Sequence, residues 1–136
     1  MKLKNRDVLT LFETINLMDV VISKLPAKII YANGRNKAAL QDAYEAVNKN
    51  RFKLTEQYGI KDDKSPVGFK LEDDGRTLSF KSDADKKKFE DEFKPILDVK
   101  VDINLYSISI ECFENVEIDK VKLPTIDIYN KWVVVE

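Results

Sequence analysis

The feature that most constrains this chain is a helical rhythm that continues through an Asn-Gly pair. Asn33-Gly34 follows the run Ile-Ile-Tyr, and this dipeptide is typical of a tight β-hairpin turn because it tolerates positive φ. The next residues, "RNKAALQ", form helices more readily than strands. Because the spacing of three and four residues continues past Gly34 without a change of phase, we predict one helix over residues 26–58.

Proline and glycine residues set the expected ends of this long helix. Pro26 suits a first helical turn, and Gly59 follows Tyr58, where a glycine commonly ends a helix. The predicted seam comprises Ile30, Asn33, Lys37, Leu40, Tyr44, Val47, Arg51, Leu54 and Tyr58. A shorter helix precedes it, with Asn5 as the expected N-cap and Pro26 beyond its end. The seam of that helix comprises Val8, Leu11, Ile15, Met18, Ile22 and Leu25.

Short alternating stretches follow a polar linker at residues 59–66. Asp74-Gly75 lies between two of these stretches and predicts a β-hairpin. A short helix is expected next, and Ser82 followed by an acidic residue three positions later predicts its N-terminal cap. The buried stripe expected on this helix comprises Phe89, Phe93 and Leu97.

The rest of the chain combines strand and helix patterns. Residues 99–110 alternate like a strand, with a change of parity near 106–107 that predicts a bulge or bend. The tail "LPTIDIYNKWVVVE" is ambiguous. Pro124, Ile128 and Trp132 lie at positions that favour a helix, whereas its β-branched run favours a strand. We expect a helix there.

These elements predict an α+β fold in a single domain over residues 1–136. An N-terminal antiparallel helical hairpin with one long helix is expected at 1–58, and a small β-hairpin/helix/strand unit at 67–136. At the helical rise per residue, the second helix is about 50 Å long and the first about 30 Å. The distal part of the long helix therefore extends beyond its partner, and another part of the chain or a second protein must cover it.

The residue inventory excludes several classes of catalytic and metal site. The chain has no histidine, which excludes Ser-His-Asp and Cys-His nucleophile systems and His-ligated zinc. Its single cysteine, Cys112, allows neither an internal disulfide nor a multi-cysteine metal cluster. Four scattered glycines form no phosphate-binding loop. We therefore predict no catalytic, cofactor-binding or metal-binding residues, and a protein that is not an enzyme.

Charge and hydropathy narrow the range of partners. The net charge is −1, and residues 1–58 carry +4 without forming a concentrated basic face. The nearest approach to a nucleic-acid surface is a stripe on the long helix, formed by Arg35, Lys49, Arg51 and Lys53. No apolar run reaches the roughly 20 residues that a membrane helix needs, and polar residues interrupt the N-terminal segment. We expect a cytoplasmic protein that does not bind membranes, and the charge pattern favours a protein partner over nucleic acid.

Several short motifs give the chain a family resemblance. "LPAK", "YANGRNKAAL", "LTEQYG", "DVKVDINLYSI" and "LPTIDI" resemble segments of small uncharacterised proteins from phages and prophages of Gram-positive bacteria. The positions that fit are Leu25, Pro26, Lys28, Tyr31, Tyr58 and Gly59. Asn36-Lys37 is in reverse order, and Gly34 departs from the pattern. The resemblance covers most of the chain and implies a phage origin, hence a location in the host cytoplasm or the virion, but no mechanism.

The functional prediction follows from the overlong helix and the absence of catalytic groups. We predict non-catalytic protein–protein assembly by a phage-encoded structural or accessory protein, with self-association as one form of it. The alternative is a binding inhibitor or regulator of a host protein or nucleic acid. The predicted partner-binding residues are Val47, Arg51, Leu54, Tyr58 and Trp132. For Trp132 a role in the core is equally compatible with the sequence.

Overall fold

The computed structural model of the protein describes residues 1–22, 24–114, 116 and 126–135. The helices are α1 (Asn5–Val21), α2 (Ala27–Tyr58), α3 (Asp83–Leu97) and α4 (Ile126–Trp132). The strands are β1 (Lys2–Lys4), β2 (Lys100–Asp102), β3 (Ile108–Ser109) and β4 (Val134–Val135), and a 3-10 turn follows β3 at Ile110–Phe113. Helices combined with small sheets give the α+β class that the sequence predicts.

The long helix predicted through Asn33-Gly34 is confirmed. α2 is continuous over Ala27–Tyr58, and a side chain added at Gly34 would meet no atom within 4 Å. The carbonyl of Pro26 accepts hydrogen bonds from the N–H groups of Ile29 and Ile30, at 3.0 and 3.1 Å, so the proline leads into the first turn. At this site helix propensity on both sides outweighs the turn preference of the dipeptide.

Cross-contacts define α1 and α2 as an antiparallel helical hairpin, as predicted. The ring of Phe12 stacks on that of Tyr44 with centroids 4.0 Å apart. Further along α1, Asp19 Oδ1 accepts a hydrogen bond from Asn33 Nδ2 at 3.2 Å. Moving forward along α1 therefore means moving backward along α2. α1 itself begins at Asn5 with Lys4 in the N-cap position, so the predicted Asn5 cap is displaced by one residue.

Contacts divide the chain into two compact units. The first unit comprises Met1–Tyr44 and Lys100–Glu136, and the second comprises Glu45–Val99. The boundary falls inside α2, where no change in the sequence pattern marks it.

The first unit contains both sheets. β1 pairs with β2 in antiparallel register, which sets Leu3 opposite Val101. β3 pairs with β4 in parallel register. The strand predicted over 99–110 is thus two short strands with an irregular segment between them, and the break includes the predicted bend. The tail combines both expectations, because α4 is followed directly by β4, while Pro124 lies outside the described residues.

The first unit has a continuous apolar core. The α1 seam is confirmed over Val8, Leu11, Ile15 and Met18, which are fully buried, and burial of such side chains stabilises the fold by about 1.5–3 kcal/mol each. The helix ends at Val21, earlier than predicted, so the last two predicted seam residues, Ile22 and Leu25, lie beyond it and are half-buried. The other buried members are Leu3, Phe12, Ile29, Ala32, Leu40, Ile103, Ile108, Tyr129 and Val133.

The predicted α2 seam is wrong at its N-terminal end. Ile30 is 56% exposed, and its neighbour Ile29 is fully buried instead. Two asparagines, Asn33 and Asn36, are also fully buried on this face. Buried amides are stable only when they are hydrogen-bonded, and both find partners in distant segments of the chain. The departure from the predicted seam is local, because its members Asn33 and Leu40 are buried as expected.

The second unit consists of the distal part of α2, a bridged loop region and α3. Isolated antiparallel bridges replace the predicted hairpin strands and join Gly59 to Phe80, Lys61 to Phe69 and Leu71 to Leu78. The predicted cap of α3 is confirmed, because Ser82 Oγ accepts a hydrogen bond from the Asp85 N–H at 3.2 Å. The predicted stripe on α3 is only half-buried.

The core of the second unit is thin. All residues of Glu45–Val99 are described, and Val47 and Phe69 are the only apolar side chains among them that are buried. The other apolar residues are half-buried or exposed, with Phe52 and Val67 the most exposed at 54% and 57%. This unit therefore leaves much of its apolar surface in contact with solvent.

Candidate functional site

An exposed aromatic side chain of α2 borders a groove in the second unit, here named the Phe52 groove. Its volume is about 560 Å³, which is within the usual range for binding sites. The ring of Phe52 stands edge-on to that of buried Phe69, with centroids 5.8 Å apart. The lining residues are Asn48, Arg51, Phe52, Thr55, Val67, Phe69, Leu71, Gly75, Arg76, Leu78 and Phe89. The lining is mostly apolar, and it includes two arginines, Arg51 on α2 and Arg76 in the loop region.

Backbone hydrogen bonds fix the loop that forms one wall of the groove. The Lys70 N–H donates to the Ile60 carbonyl at 2.8 Å, and the Asp62 N–H donates to the Gly68 carbonyl at 3.0 Å. These bonds hold Phe69 against the helix. On the helical side, Thr55 Oγ1 donates to the carbonyl of the preceding turn at 2.7 Å, so its hydroxyl is satisfied internally. The groove is therefore shaped before any partner arrives.

A tight turn positions the second arginine of the groove. Asp74 Oδ1 accepts hydrogen bonds from the N–H groups of Arg76 and Thr77, each at 2.8 Å, and Oδ2 accepts from Thr77 Oγ1 at 2.6 Å. Gly75 has a φ of +70°, which an L side chain rarely adopts. These hydrogen bonds, led by that of the Thr77 hydroxyl, lower the pKa of Asp74 to about 2. The carboxylate thus stays ionised and holds the turn across the ordinary pH range.

The charges that line the groove have one sign. Arg51 and Arg76 are both exposed, and no carboxylate lines the groove, although Asp74 lies close enough to Arg76 for their charges to interact. Arg51 Nη2 donates to Asn48 Oδ1 at 2.6 Å, which orients the guanidinium. The charge of Arg76 lies on the turn that Asp74 holds. Together they favour a partner that brings acidic groups beside an apolar side chain.

The basic stripe predicted on the long helix is interrupted by acidic residues. A neighbouring depression of about 580 Å³ surrounds Phe52 on its other side. Its lining includes Lys49 and Lys53, and also Glu45 and Glu56. A nucleic-acid surface needs concentrated positive charge, and this mixed lining does not provide it.

The five predicted partner-binding residues differ in burial and in the unit to which they belong. Val47 is 2% exposed, so it offers no surface to a partner. Arg51 lines the Phe52 groove. Leu54 and Tyr58 are half-buried, and a hydrogen bond between the Tyr58 hydroxyl and Glu92 of α3 raises the pKa of Tyr58. Trp132 belongs to the first unit, where it packs, partly buried, against the core.

Sequence reasoning missed the residues that make the groove recognisable. Phe52 is adjacent to Arg51 but lies off the helical seam. A residue off the seam is expected to be exposed, so the sequence did contain a signal for an exposed aromatic residue at this position. Phe69 and Arg76 join it through loop geometry that short-range patterns do not encode. The helical seam predicts which residues of a helix are buried, whereas this site depends on residues that the helix leaves exposed.

Two features are absent from the described residues, a group of metal ligands and a helix that could cross a membrane. Within ranges 1–22, 24–114 and 126–135, no group of three or more His, Cys, Asp or Glu side chains is arranged to hold a metal ion. Cys112 is a half-buried free thiol. In the part of the chain that the structure describes, no helix combines the length and the apolar character needed to cross a bilayer.

Comparison with known proteins identifies no relative of this chain. The chain matches no protein-family model, no curated protein and no solved structure. The candidate site is therefore defined by its own geometry: an exposed aromatic ring over a preformed apolar groove with two arginines.

Proposed function

We propose that this protein is a non-catalytic assembly protein and that the Phe52 groove is its contact surface. The observation that carries the proposal is the thin core of the second unit, in which an exposed phenylalanine lies beside a preformed groove. An aromatic ring at such a position contributes strongly to binding when a partner covers it, and arginine is the other residue type enriched at these contacts. A large contiguous patch of exposed apolar surface commonly marks an interaction site.

We infer that the occupant of the groove is a second copy of this chain. The groove contributes Arg51 and Arg76, and α3 of the same unit carries the exposed acidic run Glu90, Asp91 and Glu92. The exposed carboxylates Glu90 and Asp91 of one copy are therefore available to pair with the groove arginines of another copy. Stable homodimers bury about 800 Å² or more on each partner, and covering Phe52 together with Val67 would supply the apolar centre of such a contact.

Light scattering over a concentration series, from low micromolar to near-millimolar, tests this proposal. The wild-type chain is expected to gain mass with concentration, whereas Phe52→Glu is expected to remain a monomer with an unchanged circular dichroism spectrum. Val20→Glu is the matched control, because Val20 is 80% exposed on α1 of the other unit. This control should associate like the wild type. A wild-type chain that stays monomeric at the highest concentration would overturn self-assembly.

A phage origin gives the assembly proposal a biological setting. The motifs around Pro26, Tyr31 and Tyr58 support it through their resemblance to phage and prophage proteins. In that setting the protein is a structural or accessory component located in the host cytoplasm or the virion. Gene neighbourhood is the direct test: tail or capsid genes beside this one would support the assignment, and early regulatory genes would count against it.

A further inference from the structure

A second exposed aromatic surface lies in the first unit, here named the tyrosine–arginine cluster, and it consists of Tyr31, Arg35 and Tyr106. The two rings meet edge-to-face with centroids 5.6 Å apart. The guanidinium carbon of Arg35 lies 5.9 Å from the centroid of Tyr31 and 5.3 Å from that of Tyr106. Arg35 Nη1 also donates to the Tyr31 hydroxyl at 3.3 Å. Tyr31 and Tyr106 are nevertheless 56% and 42% exposed.

A buried amide holds one member of this exposed cluster in place. Asn36 is fully buried, and its side chain bonds both polar groups of the Tyr106 backbone. The Tyr106 N–H donates to Asn36 Oδ1 at 2.7 Å, and Asn36 Nδ2 donates to the Tyr106 carbonyl at 3.0 Å. The irregular segment between β2 and β3 is thereby fixed to α2. A surface ring that is fixed in this way loses little conformational freedom when it binds a partner.

The cluster forms the rim of a cavity of about 420 Å³. Its lining comprises Ala27, Lys28, Tyr31, Tyr106, Ser107, Ile108, Ser109 and Cys112. Apolar surface dominates the cavity, and hydroxyl groups and one ammonium group supply its polar atoms. The volume fits a few amino-acid side chains.

The described side chains that line this cavity carry a positive charge. Lys28 is among them, no described carboxylate is, and the guanidinium of Arg35 lies over the rings of Tyr31 and Tyr106, which also line the cavity. Among the described residues, neither Lys28 nor Arg35 forms an ion pair. Glu111 does not line this cavity, but it lines an adjoining depression that shares Lys28 and Cys112 with it. Among the described residues that line the cavity, no carboxylate competes with an incoming anion for these two cations.

We propose that the tyrosine–arginine cluster binds an acidic peptide segment of another protein. A carboxylate of the segment pairs with Arg35 and Lys28, and an adjacent apolar side chain enters the cavity against Ile108 and the tyrosine rings. Tyrosine and arginine are the residue types that dominate binding energy at protein contacts. This surface is independent of the Phe52 groove, so the failure of either proposal leaves the other intact.

Titration of the isotope-labelled chain with a capped hexapeptide of alternating Glu and Leu, followed by amide NMR, tests the proposal. The amides of Ser107, Ile108 and Cys112 are expected to shift and saturate, and added salt should weaken the binding because it screens the charges. The same peptide with Gln in place of Glu should bind at least about tenfold more weakly, since the charge pairing is lost. Equal binding by the Gln peptide, or no shift with the Glu peptide at millimolar concentration, would overturn the proposal.

Substitutions in the cluster locate the contact. Arg35→Gln and Tyr106→Ala are each expected to weaken peptide binding about tenfold or more. Lys2→Gln is the matched charge control, because Lys2 is exposed and lines neither depression, and it should bind like the wild type. Unchanged binding by Arg35→Gln would remove the cluster from the site. Oligothymidylate that shifts the same amides more strongly than the Glu peptide would reassign the surface to nucleic acid.

Discussion

The hydroxyl of Tyr129 donates a hydrogen bond to Asn33 Oδ1 over 2.8 Å, and both side chains are fully buried. The bond joins α4 to α2 at the Asn-Gly pair that looks like a turn in the sequence. The same asparagine donates to Asp19 of α1, so one amide bridges three helices. Burial raises the pKa of Tyr129, and the nearby charge of Asp19 raises it further. The raised pKa keeps the phenol protonated, and therefore a hydrogen-bond donor, at neutral pH.

Removal of that donor should destabilise the protein. Tyr129→Phe leaves Asn33 Oδ1 without the phenol in a buried site, and we expect a loss of about 1–3 kcal/mol in the free energy of unfolding. Tyr31→Phe is the matched control, because Tyr31 is exposed and its change should stay within about 0.5 kcal/mol. Urea denaturation of both variants measures the difference. Equal stability of the two would mean that the buried bond contributes nothing net.

Two glycine substitutions should have opposite effects. Gly34→Ala should stabilise the chain by up to about 1 kcal/mol, because the site is ordinary helix with open space around it. Gly75→Ala should destabilise it by about 1–2 kcal/mol, because φ there is +70°. Thermal unfolding of the two variants is the measurement. A loss of stability at Gly34 would contradict the continuous helix.

We expect the side chain of Asn36 to act mainly by holding the backbone of Tyr106 in place. Asn36→Ala removes both bonds to the Tyr106 backbone, and we expect a loss of about 1–3 kcal/mol together with greater mobility of residues 103–107. Backbone relaxation measurements by NMR report that mobility directly. Asn48→Ala is a suitable control, because Asn48 bonds a surface arginine and should leave the segment unchanged. An unchanged order parameter at Tyr106 would show that the clamp is dispensable.

The carboxyl group of Asp74 should titrate unusually low. Its pKa is about 2 in the folded chain, against an ordinary value of 3.8. Because the folded pKa is the lower one, the stabilisation is complete above the ordinary value and is lost as the pH falls through about 2. A side-chain carbon NMR titration should give this midpoint. Thr77→Val should raise it, since the hydroxyl of Thr77 is the largest cause of the shift, and a midpoint unaffected by this change would contradict that cause.

The sequence predicted the parts of the fold that depend on local periodicity. The α1 seam, the continuity of α2 and the Ser82 cap of α3 each follow from residues a few positions apart. Local propensity also identified both tendencies of the tail, which the chain uses in succession as α4 and β4.

The remaining features depend on contacts between distant residues. Periodicity favoured Ile30 over Ile29 because it counts apolar side chains and cannot register that Asn36 is buried with a partner at Tyr106. The Phe52 groove was missed for the same reason, since only its helical side is local. Of the predicted site residues, Arg51 alone lines that groove.

The interrupted first unit has a consequence for the order of folding during synthesis. β1 spans Lys2–Lys4, and its partner β2 spans Lys100–Asp102, so the sheet cannot form until the whole second unit has left the ribosome. The α1 seam waits still longer for Tyr129 and Val133, which complete its core. During translation the apolar face of α1 therefore lacks the cover that α4 supplies in the finished protein. A shortened chain that ends before α4 should for this reason be aggregation-prone even though most of its helices are present.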